Sequence, residues 1–319
     1  YIRPKIPPMF TFARKILMIR PANFCYNPQT GVNNVFSNEA EKGEEESIHA
    51  KAVKEFDRMV AELIEAGIDV HVWNDSETPK KPDAVFPNNW FSTTPNGAFV
   101  TYPMFAKNRR IERDPRIIDY IETMFEVERR YEFEHYEAKD LFLEGTGSMI
   151  MDHDEKVIYA CLSARTDIEL LDKMSVLSGY EVVAFTSTDE DGQPIYHTNV
   201  MMALANDLAI ICMESIDKDQ DIEKVSSAIE RSGRTIFPIS FKQVENFAGN
   251  MIQLRNRNDE YVLVMSKQAH DSLSKSQLKQ LSEKSIIVAP DIETIENYGG
   301  GSARCMIAEI FLDEKEALA

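Results

Sequence analysis

No two of the four cysteines, Cys25, Cys161, Cys212 and Cys305, stand close enough for a CxxC pair, and the six histidines give neither an HExxH nor a mixed Cys/His spacing. That excludes a disulfide framework and a zinc motif. Scattered thiols in a chain of 319 residues read as reduced, which points to a cytoplasmic protein that holds no metal. No apolar run approaches the roughly 20 residues of a membrane span. The opening stretch, Tyr1 to Phe12, has three prolines and no apolar segment, so it does not read as a secretory leader. Basic residues are few beside acidic ones, 35 against 53, for a formal net charge of -18. Such a surface repels nucleic acid and anionic membranes, and its plainest role is solubility. What is present is an ordinary soluble composition, 43% hydrophobic and 28% charged, ample for a core.

One local pattern recurs five times: a small polar residue or Cys, often after glycine, opening an apolar run. Its anchors are Asn89, Ser148, Asn199, Asn250 and Cys305, and the steps between them are 59, 51, 51 and 55 residues. After each of the first four, two short apolar runs flank a polar turn, the signature of a hairpin. Helical spacing then follows over residues 116–125, 166–177, 221–232 and 274–282. The clearest helix is 45–66, where Ile48, Ala52, Val53, Phe56, Met59, Val60, Leu63 and Ile64 recur at three-and-four spacing before Gly67. Each helix leads to a short β run, at 70–73, 131–136, 181–185, 235–239 and 286–289.

A hairpin–helix–strand unit of this size cannot bury its apolar face alone, whereas a closed ring of five can. The expected fold is therefore a five-fold pseudosymmetric α/β propeller over residues 15–319, behind a short N-terminal extension at 1–14. Strand 16–19 closes the ring with the segment after Cys305. All anchors then lie at the inner start of a strand, and Asn89, Glu144, His197, Asn199 and Cys305 converge on the axis.

Cys305 ends a loop with three consecutive glycines, Gly299, Gly300 and Gly301, and follows Arg304. Such a loop suits close backbone approach, and a neighbouring cation favours a thiolate, so Cys305 reads as a nucleophile. The plainer reading, a small buried hydrophobe, is kept for Cys25, Cys161 and Cys212. A lone histidine is usually structural, but His197, two residues before an anchor, is the natural acid/base partner. Glu144, before another glycine turn, can orient the imidazole or a substrate nitrogen. Asp83 by itself is an ordinary turn residue, and His153, in an acidic hairpin turn, reads as surface.

The run Gly299-Gly300-Gly301-Ser302-Ala303-Arg304-Cys305-Met306 resembles the nucleophile loop of the pentein, or guanidino-group-modifying, superfamily. Leu143-Glu144-Gly145 resembles the segment with its active-site glutamate, and His197-Thr198-Asn199 its catalytic His-x-Asp. Ser163-Ala164-Arg165-Thr166 is similar to the motif whose arginine holds the substrate α-carboxylate. Asp83 to Asn89 aligns without gaps on the strand that supplies substrate contacts in dimethylarginine hydrolases. The resemblance implies that Cys305, His197 and Glu144 are catalytic, that Asp83, Phe86, Asn88, Asn89, Asn199 and Arg165 bind substrate, and that no cofactor is needed.

Where arginine deiminases place two aspartates on the guanidinium, this chain has Asn89 and Asn199. A neutral amide cannot ion-pair with a cation, but it offers both an acceptor and a donor, which is what a neutral ureido group needs. The expected activity is that of the citrulline-utilisation hydrolases: citrulline to ornithine, ammonia and CO2 through a covalent Cys305 intermediate. The expected partner is a small amino acid, with neither nucleic acid nor membrane. A guanidino hydrolase or amidinotransferase acting on arginine or methylarginine is the nearest alternative, supported by the carboxylate of Asp83. A non-catalytic pentein of the ribosome anti-association type would lack the Cys–His pair. A cysteine peptidase would need no pair of anchor amides.

Overall fold

The computed structural model describes residues 11–31, 34, 36–39, 41 and 43–316. Fifteen strands among these form five three-stranded sheets, and the sheets share one topology. In each, an inner edge strand pairs antiparallel with a central strand, which pairs parallel with an outer strand delivered by the intervening helix. In the first sheet Ile16 stands opposite Glu309 on the antiparallel side and Val70 on the parallel side. The inner strand, Ala308–Ile310, comes from the far end of the chain, so pairing it with Lys15–Arg20 closes the ring. The inner strands of the other sheets are Phe91–Thr93, Ile150–Asp152, Met202–Leu204 and Ile252–Arg255. Thr93 Oγ1 donates to the Glu309 carbonyl and accepts from the Phe311 N–H, which joins two neighbouring inner strands.

The helices follow from their sequences. Helix Glu45–Glu65 buries Ile48, Ala52, Phe56, Met59 and Leu63 against the first sheet, a stripe at three-and-four spacing. The stripe is narrower than the sequence suggests: Val53 and Val60 are only partly buried and Ile64 is exposed. The chain leaves this helix through Gly67, at φ 86°. Asp114 caps Pro115–Met124, Asp167 caps Ile168–Ser178, and Ser274 with Gln277 forms a capping box on Lys275–Ser282. None of the helices among the described residues is long and apolar enough to cross a membrane.

Three details differ from the expectations. The anchors do not open strands; they sit in single turns just before the inner strands. Pro87–Asn89, Gly145–Ser148 and Thr198–Met201 are one-turn helices, and Asn250 and Cys305 end or lie within turns. The inner strand of the fourth sheet accordingly begins at Met202, not Val200. The outer strand of the second sheet is Arg129–Glu132 rather than 131–136. Its central partner, Ala98–Thr101, has only four residues, and the chain turns away after the Phe133 N–H bonds the Thr101 carbonyl. Of the expected N-terminal extension 1–14, residues 1–10 lie outside the described residues. Thr11 bonds Asp154, and buried Ala13 accepts from the Arg255 N–H.

Candidate active site

The five turns surround a buried polar centre. Asn88, Asn89, Glu144, His197, Asn199, Asn250 and Cys305 are all buried there. Above them is a narrow pocket of about 20 Å³, walled by Asp83, Phe86, Asn89, Arg109, Arg165, His197 and Cys305, by the glycines 299–301, and by Thr30, Asn34 and Tyr196. The sequence-derived residues therefore meet in one place, with three distinctions. Glu144 lies behind His197, Asn199 lies behind Cys305, and Asn88 is buried off the pocket wall.

Cys305 Sγ receives two amide donors, Asn199 Nδ2 at 3.4 Å and Asn250 Nδ2 at 3.3 Å. The Asn250 amide is itself oriented: its oxygen accepts from the Arg304 N–H and its NH2 also donates to the Asn199 carbonyl. Two N–H groups aimed at sulfur stabilise a thiolate. The expectation that Arg304 supplies this stabilisation is wrong. Its guanidinium reaches the Ile307 carbonyl and Glu309, because adjacent residues in the turn point to opposite sides. Cys161 and Cys212 are buried inside the sheets, and burial pushes their thiols up to about 12 and about 11. Cys25 is half-buried, and its thiol is also raised.

His197 Nε2 lies 2.9 Å from Glu144 Oε2. A carboxylate there holds the proton on Nε2 and leaves Nδ1 for proton transfer. Burial lowers the His197 pKa and outweighs the opposing pull of Glu144, so the resting imidazole is neutral. For Glu144, burial works to raise the pKa, but Arg165, His197 and Arg109 prevail and hold it at about 2. Glu144 also accepts from the Phe105 N–H at 2.9 Å, which fixes its second oxygen. His153, expected at the surface, is half-buried against Tyr180 and Phe311, and burial lowers its pKa to about 4.

Arg165 Nη1 lies 3.5 Å from Glu144 Oε2, its Nη2 donates to the Thr30 carbonyl, and the guanidinium stacks on Tyr196 at 4.6 Å. Asp83 Oδ2 accepts from Asn27 and Thr30. Thr30 and Asn34, in the segment that follows the first strand, line the pocket; residues 32, 33 and 35 lie outside the described residues. Asn34 Nδ2 donates to the Gly300 carbonyl, and its oxygen accepts from the Tyr196 hydroxyl.

Five buried polar atoms on four residues around this pocket have no hydrogen-bond partner within the described residues: Asp83 Oδ1, Asn89 Nδ2, Asn199 Oδ1 and both polar atoms of Asn88. Native proteins leave few such atoms unpaired, so a cluster of them marks a binding site. Sequence reasoning missed Arg109, Asn27, Thr30 and Tyr196, which sit outside the repeat. It found Asn250 only as an anchor, although its place in the repeat matches that of Asn199.

Gly147 is required by close approach. A Cβ there would stand 2.4 Å from Asn89 Nδ2 and 2.9 Å from His197 Nδ1. Gly147→Ala should therefore lower kcat by about tenfold to a hundredfold, because displacing reacting groups by about 1 Å costs that much, with the melting curve little changed. Steady-state kinetics beside a thermal melt checks this.

Residues 20–312 match the family described as N,N dimethylarginine dimethylhydrolase, eukaryotic, and the chain belongs to that family. The family so described is one of hydrolases acting on a C–N bond, and the five-sheet fold is the pentein fold. No curated protein matches its sequence. Among solved structures it is similar to ArgZ, an arginine dihydrolase from the ornithine-ammonia cycle in cyanobacteria, at TM-score 0.71 and 19% identity, covering 92% of this chain and 40% of that one. The N-terminal domain of ArgZ, covalently bound to a reaction intermediate, aligns at TM-score 0.69 and 19% identity, over 92% of this chain and 97% of that domain. A dimethylarginine dimethylaminohydrolase adduct with S-methyl-L-thiocitrulline aligns at TM-score 0.64 and 15% identity, over 93% and 100%. At these identities the likeness establishes the fold. The chain spans less than half of full-length ArgZ.

Proposed function

We propose that this chain hydrolyses the ureido group of citrulline to ornithine, ammonia and CO2. The observation that carries the reading is the free Asn89 amide donor on the pocket wall, together with the free Asn199 oxygen buried behind the nucleophile. Asn89 offers a donor, because its oxygen is taken by Arg109 at 2.9 Å, and Asn199 offers an acceptor, because its NH2 is taken by Cys305. One donor and one acceptor complement a C=O and an NH2 on a planar carbon, whereas a guanidinium presents only donors. Asp83 Oδ1 suits an α-ammonium and Arg165 an α-carboxylate, since both residues line the pocket and lie against Thr30.

In the first half-reaction the Cys305 sulfur attacks the ureido carbon and its proton passes to neutral His197. Asn89 donates to the developing oxyanion, in a site shielded from water where such a bond is strong. The imidazolium, stabilised by Glu144, then protonates the NH2 group, and ammonia leaves. A thiocarbamate links Cys305 to the substrate's remaining nitrogen. In the second half-reaction His197 takes a proton from water, the oxygen attacks the same carbon, and the thiolate is expelled. The N-carboxy product loses CO2 to give ornithine.

The alternative substrate is arginine, favoured by the unpaired oxygen of Asp83 if the guanidinium reaches it. Ammonia and ornithine release from L-citrulline and L-arginine, measured in parallel, decides between them. The expected kcat/KM for citrulline exceeds that for arginine by at least about tenfold, the discrimination a site gains when buried polar groups match one ligand only. Turnover of arginine above citrulline would overturn the proposal.

A further inference from the structure

We infer that Arg109, held by Glu112, sets the substrate preference of the site by locking the Asn89 amide in one orientation. The inference rests on the ureido reading and adds the device that enforces it. An amide can present either its oxygen or its NH2 by turning half a revolution, so an asparagine alone selects weakly between a C=O and an NH2. Here one orientation is closed off. Arginine has only donors, so Arg109 Nη1, 2.9 Å away, can bond the Asn89 oxygen and nothing else of that side chain. Turning the amide would set NH2 against guanidinium, donor against donor.

Arg109 cannot move aside. Its Nε and Nη2 form a two-pronged bond with the Glu112 carboxylate at 2.9 and 2.8 Å, and Nη2 also donates to the Phe86 carbonyl at 3.1 Å. Both partners are buried, on one short 3-10 turn, Lys107–Glu112. Burial pushes Glu112 up to about 7 against the pull of Arg109, which for its part is held firmly cationic by Glu112 and Asp83. Arg109 is thus a positioning residue that acts through Asn89.

The test is calorimetric binding of L-citrulline and L-arginine to the Cys305→Ser protein, alone and with further changes. Arg109→Met together with Glu112→Leu removes the buried pair and frees the amide to turn, while Asp83, 3.7 Å from Arg109, keeps its bonds from Asn27 and Thr30. The citrulline-to-arginine affinity ratio should fall by about tenfold to a hundredfold. Asn89→Asp alone should weaken citrulline by about tenfold or more yet strengthen arginine by less than about threefold, because Arg109 already neutralises the new carboxylate. An unchanged ratio in the double variant, or a tenfold gain for arginine in Asn89→Asp, overturns the role of Arg109. Should the double variant not fold, Asn89→Asp decides by itself. The unmodified ratio tests the substrate reading separately: a preference for arginine there with a further shift in the variants would sink citrulline and keep Arg109. Binding of neither ligand would sink both.

Discussion

Cys305→Ala should abolish turnover, with kcat falling by about ten-thousandfold or more, the scale seen when a covalent nucleophile is removed. The fold should survive, since only a sulfur atom is lost and the Asn250 amide keeps its bonds to Arg304 and Asn199. No other thiol can substitute. Cys161 and Cys212 are buried and held protonated, and Cys25 is raised too. The chemistry makes a second demand on the same residue. Acid quenching of the wild-type protein during citrulline turnover should trap one substrate-derived thiocarbamate on Cys305, seen by mass spectrometry of the intact chain and its peptides. Asn250→Ala should keep that adduct but slow its formation by about tenfold to a hundredfold, because one of two donors to the sulfur is gone. Full activity in Cys305→Ala would remove the nucleophile from the mechanism. An adduct on any other cysteine would move it.

The fold was legible in the sequence because its repeat is a packing requirement. Each sheet needs an apolar inner strand behind a tight turn, and that need recurs at Asn89, Ser148, Asn199, Asn250 and Cys305. The ends of elements were less legible for a related reason. Residues such as Val200 and Tyr136 are apolar in pattern, but one sits in a helical turn and the other beyond the last ladder bond. The site was readable wherever chemistry coincided with an anchor, as for His197 and Cys305. It was unreadable where tertiary contacts alone give a residue its meaning. Arg109 and Arg110 are neighbours of identical type, yet one is sealed behind Asn89 and the other lies partly exposed toward Glu137. Arg304 shows the same limit from the other side: nearness in sequence suggested a partner for Cys305, and the turn directs it elsewhere.

Glu144→Gln should separate catalysis from stability at one position. The amide is isosteric and can still accept from the Phe105 N–H, so the pocket keeps its shape. It cannot stabilise an imidazolium on His197, and it can present NH2 to Nε2 and so hold the wrong tautomer. The analogous loss in a Ser-His-Asp triad costs about ten-thousandfold in kcat, and a fall of about a thousandfold to ten-thousandfold is expected here. Stability responds differently. The folded pKa of about 2 lies below the ordinary 4.5, so the ionised carboxylate stabilises the native state above pH 4.5, and that contribution is lost as pH falls toward 2. The size is on the order of 3 kcal/mol, because each pKa unit is worth about 1.4 kcal/mol. Glu144→Gln should therefore be less stable than wild type at pH 7 by roughly that amount, and the two denaturation curves should converge as pH drops from 4.5 to 2. Glu296 and Glu112, whose pKa values burial raises to about 7, contribute with the opposite sign between pH 4.5 and 7; Glu296 cancels in the difference, whereas Glu112, raised in part by Glu144, cancels only in part. Urea titrations of both proteins across this range give the result directly. A difference that stays constant from pH 7 to 2 would mean that Glu144 is not ionised in the folded protein. The orientation of His197 would then need another cause.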